Sequence, residues 1–136
     1  DQVRCCENVA AHLTDDGVFV IEAETPNQYL RLRSNQYVDA EGIEADEVRL
    51  DVARFDPVTQ LLDESHVALT RDGVRLSPIV TRYAWPSELD LMARIAGLRL
   101  KERWSGWRNE PFTADSRRHV SVYGRLSARF TPQTRV

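Results

Sequence analysis

Glu22, Tyr83, Trp85 and Arg118 are the side chains whose types and places suit ligand chemistry. Glu22 closes the apolar run Val18-Phe19-Val20-Ile21, and ligands of open α/β sheets collect at strand ends of this kind. A carboxylate there suits an amine or hydroxyl of a small acceptor; the structural alternative is a carboxylate that caps a helix or pairs with an arginine. Tyr83 and Trp85 precede a helical pattern that begins at Pro86. Aromatics supply rigid apolar walls with a polar tip, although the same pair also suits a hydrophobic staple at a helix start. Arg117 and Arg118 stand just before a strand pattern. Guanidinium forks match phosphate or carboxylate; the plain alternative is a solvated pair answering Asp115. Trp104 and Trp107 flank Ser105-Gly106 and suit either the same wall or a cover over the sheet end. Cys5, Cys6 and His12 fit no zinc spacing, and His66 and His119 lie far away in sequence. Cys6 falls on the apolar face of a helical pattern, where a thiol is buried and inert.

The elements that must position these residues fit one modest domain. The chain has 136 residues, 42% hydrophobic and 29% charged, a soluble globular composition that excludes collagen-like, mucin-like and disordered readings. Its net charge of −3 gives no general electrostatic grip on nucleic acid. Apolar runs of only a few residues exclude a membrane-spanning helix. The polar start Asp1-Gln2-Val3-Arg4 lacks a signal-peptide pattern, so a cytoplasmic protein is expected. Of the 18 basic residues, Lys101 is the only lysine. That bias follows from the arginine codons of a GC-rich genome and carries no mechanism.

Residues 2–14 read as an amphipathic helix, with Val3, Cys6, Val9, Ala10 and Leu13 on one face. Asp15-Asp16-Gly17 ends it. Val18–Ile21 follow without alternation, the pattern of a strand buried on both faces inside a helix-covered, usually parallel sheet. Residues 24–46 read as irregular. Glu47–Phe55, Thr59–Thr70 and Val74–Arg82 read as a three-stranded antiparallel meander, with turns at Asp56-Pro57 and Asp72-Gly73. In it Val48, Leu50 and Val52 form an apolar face, and Arg49, Asp51 and Ala53 a solvated one. Pro86 suits the first turn of a helix capped by Ser87 or its predecessors. That helix runs to Ala96 and ends at Gly97. Leu98–Trp104 is a strand with Leu98, Leu100 and Glu102 on one face and Arg99, Lys101 and Arg103 on the other. A long surface loop, Ser105–Arg118, leads to a last strand, His119–Leu126, which alternates Val120, Val122 and Gly124 with His119, Ser121 and Tyr123. Three strands pair with one another, and the sheet reads as the C-terminal half of one whose first strands lie upstream of Asp1.

Three stretches carry a family resemblance: Asn8–Glu22 (NVAAHLTDDGVFVIE), Arg82–Leu98 (RYAWPSELDLMARIAGL) and His119–Gly124 (HVSVYG). In their order the chain resembles the C-terminal half of class I S-adenosylmethionine-dependent methyltransferases. The branch is that of actinobacterial small-molecule enzymes, relatives of the amino-sugar N-methyltransferases. The stretches look like that fold's helix and fifth strand, its last helix and its final antiparallel strand. The resemblance implies an α/β fold: an incomplete Rossmann-like sheet of the last three strands, the last one between its two predecessors, with an inserted antiparallel β-meander. It divides the single domain into 1–23 (helix and strand), 47–82 (meander) and 83–127 (last helix and two strands).

The family holds its cofactor with a glycine-rich loop and an acidic residue that takes the ribose hydroxyls. Here all six glycines, Gly17, Gly42, Gly73, Gly97, Gly106 and Gly124, are isolated. The resemblance therefore implies the acceptor-binding and lid half of an enzyme that methylates a small molecule. S-adenosylmethionine serves the complete enzyme, and this chain alone binds no cofactor and is inactive. Glu22, Tyr83, Trp85 and Arg118 are its acceptor-binding residues, with Arg118 at a place suited to the diphosphate of a nucleotide sugar. The meander suits either a homodimer, by its exposed edge or its apolar face, or an intramolecular lid over the active site, and the sequence does not separate the two. The alternative is a non-catalytic module that binds a small ligand or itself.

Overall fold

The computed structural model describes residues 1–29 and 33–126. Two compact units are present: Asp1–Thr25 joined by the chain from Trp85 onward, and Pro26–Ala84. Both combine sheet and other elements within an α/β chain whose sheets are antiparallel.

The first unit holds α1 (Gln2–His12), β1 (Val18–Glu24), α2 (Pro86–Ile95), β6 (Leu98–Trp104) and β7 (Arg118–Arg125). Its sheet has the order β1-β7-β6. The last strand thus lies antiparallel between its two predecessors, as the family resemblance implies. Phe19 and Ile21 share a face with Tyr123 and Ser121, their cross-strand partners. On that face Ala93, Leu98 and Tyr123 form the buried core, with Ala10, Leu13, Phe19 and Ile21 packed against it. Arg125 reaches from β7 to the end of α1, where its guanidinium donates to the carbonyls of Ala10 (2.7 Å) and Leu13 (2.8 and 3.0 Å). Those carbonyls have no partner inside the helix, so the cation both satisfies them and answers the helix dipole. Cys6 is buried as its face requires, and burial pushes its thiol pKa up. At the start of α2, the Glu88 carboxylate accepts the Trp85 N–H at 3.4 Å. The cap therefore rests on Trp85 and Glu88 rather than on Ser87.

Two expectations for this unit are corrected. Val18 and Val20 are 48% and 40% exposed, and β1 alternates exposed with half-buried residues. The uninterrupted apolar run is not buried on both faces, because the described helices contribute their core side chains to the Phe19–Ile21 side. In β6 the ladder shifts register between Leu100 and Glu102. Lys101 is the extra residue of a bulge, and an extra residue reverses the facing of everything after it. Arg103 therefore pairs with Ser121 on the covered face, not with Arg99 on the outer one.

The second unit is a meander of four strands, not three: β2 (Gln36–Ile43), β3 (Glu47–Asp56), β4 (Leu61–Thr70) and β5 (Gly73–Arg82), in the order β2-β3-β4-β5. β2 lies in the stretch read as irregular. Its acidic side chains and Gly42, where the ladder shifts register, disguise the alternation. Ile43, Val48, Leu69 and Val74 form one cross-strand row, and Ala40, Leu50, Val67 and Leu76 the next. The core of this unit, however, is Tyr29, Ala53, Phe55 and Leu62, with Tyr37 and Tyr83 against it. Ala53 and Phe55 belong to the face read as solvated. Along β3 the side with Arg49 and Asp51 thus turns inward at its Phe55 end.

Candidate functional site

Strand β1 ends where β7 begins, and three of the four sequence-predicted residues belong to this unit. Glu22 and Arg118 occupy neighbouring strands and form an ion pair at 3.6 Å, with both side chains well exposed. The structure thus brings these two together, each being the other's charge partner. Trp85 is the N-cap of α2. The next residue, Pro86, offers its carbonyl to Arg103 at 3.4 Å, which ties the helix start to the end of β6. Tyr83 belongs to the other unit. It stands 5.7 Å from Tyr29, ring to ring, and burial raises its hydroxyl pKa. Trp107 is largely exposed. A shallow cleft of about 600 Å³ in the second unit, lined by residues such as Val38, Arg54 and Pro78, contains none of the four.

Behind Glu22 and Arg118 lies a polar network that the sequence reading did not assemble. Arg103 is only 12% exposed and grips Asp90 with two nitrogens, at 2.6 and 3.1 Å. Its Nε donates to Ser121 Oγ at 2.7 Å. Tyr123 OH donates to the same Asp90 carboxylate at 2.7 Å and accepts from Arg103 at 3.1 Å. Ser121 Oγ in turn lies 2.7 Å from His119 Nδ1. Phe112 closes the group: Arg103 stands 5.7 Å over its ring, and His119 meets it edge-on at 5.9 Å.

Such a network stands only because nearly every member has a partner. A bidentate arginine–carboxylate pair is the strongest neutralising contact available to a buried guanidinium. Burial, then the positive charge of Arg103, brings the His119 pKa down to about 4, against a smaller opposing pull from Asp90. The imidazole is therefore neutral at pH 7. Burial, followed by the hydrogen bond to Asp90 and its charge, holds the Tyr123 hydroxyl far above its ordinary pKa. His119 Nε2 is buried without a hydrogen-bond partner.

The signal for this network was present in the last strand. On a strand paired on both edges, a run of His119, Ser121 and Tyr123 is as fully covered as its apolar neighbours. Those three residues are completely buried, and buried polar side chains must be satisfied by partners brought from elsewhere. Asp90 and Arg103 are those partners. The bulge at Lys101 hid one of them.

No family model and no curated protein matches the chain. Solved structures do. The CcbJ methyltransferase from Streptomyces caelestis superposes with a TM-score of 0.84 and 37% identity, over 91% of this chain and 52% of its own. A SAM-dependent methyltransferase from Clostridium acetobutylicum follows with TM-score 0.74 and 14% identity, again over 91% and 52%. The chain has the fold of about half a methyltransferase. A SAM-bound amino pentose methyltransferase from Micromonospora echinaspora, CalS10, superposes with TM-score 0.56 and 21% identity over 91% of this chain and 50% of its own. The chain thus spans about half the length of each of these methyltransferases. Among its described residues, no helix is long and apolar enough to cross a membrane.

The cofactor named for these neighbours needs a cradle in which backbone approaches the ligand closely. The glycines do not form one. The space a side chain would take is already filled by Leu13 and Thr14 at Gly17, by Arg49 at Gly42, by Glu110 at Gly106 and by Lys101 at Gly124. Gly73 and Gly97 are open, but each has positive φ and serves a turn between elements. The described glycines thus form no such cradle.

Proposed function

We propose that this chain is the acceptor-binding half of an S-adenosylmethionine-dependent methyltransferase acting on a small molecule, and that it transfers no methyl group on its own. In this reading β1, β7 and β6 are the last three strands of a Rossmann-like sheet. The observation that carries it is the superposition of 91% of the chain, at 37% identity, on about half of the CcbJ methyltransferase. The absence of a glycine cradle among the described residues supports assigning the cofactor to the other half. In such enzymes the protein's task is to orient the acceptor nucleophile and exclude water. Glu22 and Arg118 are suited to the first task. Arg118 presents a fork for phosphate, and Glu22 presents a carboxylate for the amine or hydroxyl to be methylated. A nucleotide sugar bearing an amine carries both partners, and it would exchange the internal ion pair for two external ones. The aromatic ring of Trp85 supplies an apolar wall.

Calorimetric titration tests both parts. The chain should give binding heat with an amino-sugar nucleoside diphosphate and none with S-adenosylmethionine. Replacing Arg118→Ala should weaken the sugar nucleotide by about 10- to 100-fold, the worth of a charge-assisted pair. Unchanged affinity in that variant overturns the role of Arg118. Tight S-adenosylmethionine binding by the chain alone overturns the half-enzyme reading.

A further inference from the structure

We infer that Trp107, in the turn that follows β6, stacks on the nucleobase of a nucleotide-sugar acceptor whose diphosphate Arg118 takes. The inference rests on the acceptor reading above and adds to it a binding residue for a flat aromatic ring.

The turn holds its residues in place before any ligand arrives. Trp104 and Pro111 form a bridge across its base. Above the bridge, the Ser105 N–H donates to the Glu110 carbonyl at 2.9 Å, and the Arg108 N–H donates to the Glu110 carboxylate at 2.9 Å. That carboxylate stands 2.8 Å from where a Cβ would lie at Gly106, so a side chain there would push it from its place. Asn109 takes the left-handed conformation, φ 61°, which asparagine adopts more readily than most residues. A backbone fixed in this way lowers the ordering cost that a ligand must offset.

Exposure separates Trp107 from the other tryptophans of the chain. It is 65% exposed, whereas Trp85 and Trp104 are half-buried. Its neighbours in the turn, Ser105, Arg108, Asn109 and Glu110, are polar. They give it no apolar surround of the kind that makes the desolvated centre of a protein interface. What a single exposed indole offers is a π-face, and every nucleobase has one to lay against it. Arg108, also exposed, adds a cation beside the ring, which suits an anionic ligand.

The sheet register puts this turn beside the acceptor residues. Glu22, Val120 and Trp104 form one cross-strand row. Arg118 lies two residues before Val120, on the same face of β7. Neighbouring strands are about 4.8 Å apart and each residue adds about 3.3 Å, so the α-carbons of Glu22, Arg118 and Trp104 lie within roughly 10 Å of one another. β6 and β7 are antiparallel, so the chain leaving Trp104 advances toward the sheet end that holds Arg118. Diphosphate and ribose separate the base of a nucleotide sugar from its amine by a comparable length. One extended ligand can therefore engage Glu22, Arg118 and Trp107 together.

Calorimetric and fluorescence titrations of the full chain with two probes read the result: uridine diphosphate glucosamine, and glucosamine phosphate, which has no base. Trp107→Ala should weaken the first by roughly 10- to 100-fold, the worth of one base–aromatic stack, and leave the second unchanged. Its far-UV circular dichroism should match the wild type, because the side chain is exposed. Uridine diphosphate glucosamine should quench part of the wild-type tryptophan emission. Trp107→Phe should keep most of the affinity and lose that quenching. A Trp107→Ala variant that binds uridine diphosphate glucosamine as tightly as the wild type overturns the stacking and leaves the acceptor reading standing. Equal losses for both probes also overturn it, since the contact would then not be to the base. A wild type that binds neither probe overturns the acceptor reading and the stacking with it.

Discussion

Acidification should destabilise the first unit through a single buried imidazole. His119 has a pKa near 4 in the folded chain against about 6.5 when unfolded. Between these values the unfolded state binds the proton and the folded state does not, so stability is complete above about pH 6.5 and falls as pH drops toward 4. The linkage integral from pH 7 to about 4.5 is roughly 2.5 kcal/mol, and no discount for solvent applies because the ring is fully buried. At the denaturant sensitivity of a small unit this lowers the urea midpoint by roughly 1–2 M. His12 and His66 are the chain's other histidines, so the assay compares the wild type with His119→Phe. The phenyl ring keeps the edge-on contact with Phe112 and removes the titrating nitrogens. Urea unfolding followed by tryptophan fluorescence at each pH should give a steep slope for the wild type and a shallow one for the variant. Parallel slopes would refute the argument, because the charge penalty would then reside elsewhere.

Asp90→Ala leaves the Arg103 guanidinium buried and uncompensated, and should cost about 2–4 kcal/mol, below the fully buried limit because the carboxylate is one-third exposed. Adding Arg103→Met should recover part of that loss in the same unfolding assay; strict additivity would mean that the two residues do not act as a pair. Glu22→Gln breaks an exposed ion pair and should change stability by less than about 0.5 kcal/mol in a thermal melt, a loss above about 1.5 kcal/mol showing that the pair holds the sheet end together.

The elements with strong periodic signals were legible in the sequence. Leu98–Trp104 is observed with the expected bounds, and the helix after Trp85 starts at Pro86, where proline's missing N–H costs nothing. The Asp72-Gly73 turn closes its hairpin, with Thr70 paired to Gly73. What escaped depended on information no local pattern carries. β2 escaped because most of its residues face water and its register breaks at Gly42. The valines of β1 looked buried because apolar composition sets what a strand can cover, while only neighbouring elements decide what is covered. Of the site, Glu22 and Arg118 were found singly, as end-of-strand charges, and their contact required the β1–β7 register. The Asp90–Arg103 pair joins a helix to a strand 13 residues away, a distance at which sequence offers no spacing rule.

The bulge at Lys101 bears on how this chain should be aligned with others. A single-residue gap in a strand is usually treated as noise at the edge of an alignment. Here it is the point at which a charged position changes from surface to interior. A relative one residue shorter at this point presents the residue before its tryptophan to water, and its counterpart of Asp90 must find another cation or be replaced by an uncharged side chain. Insertions and deletions within β6 therefore carry more information about the interior of this unit than substitutions at either end of the strand.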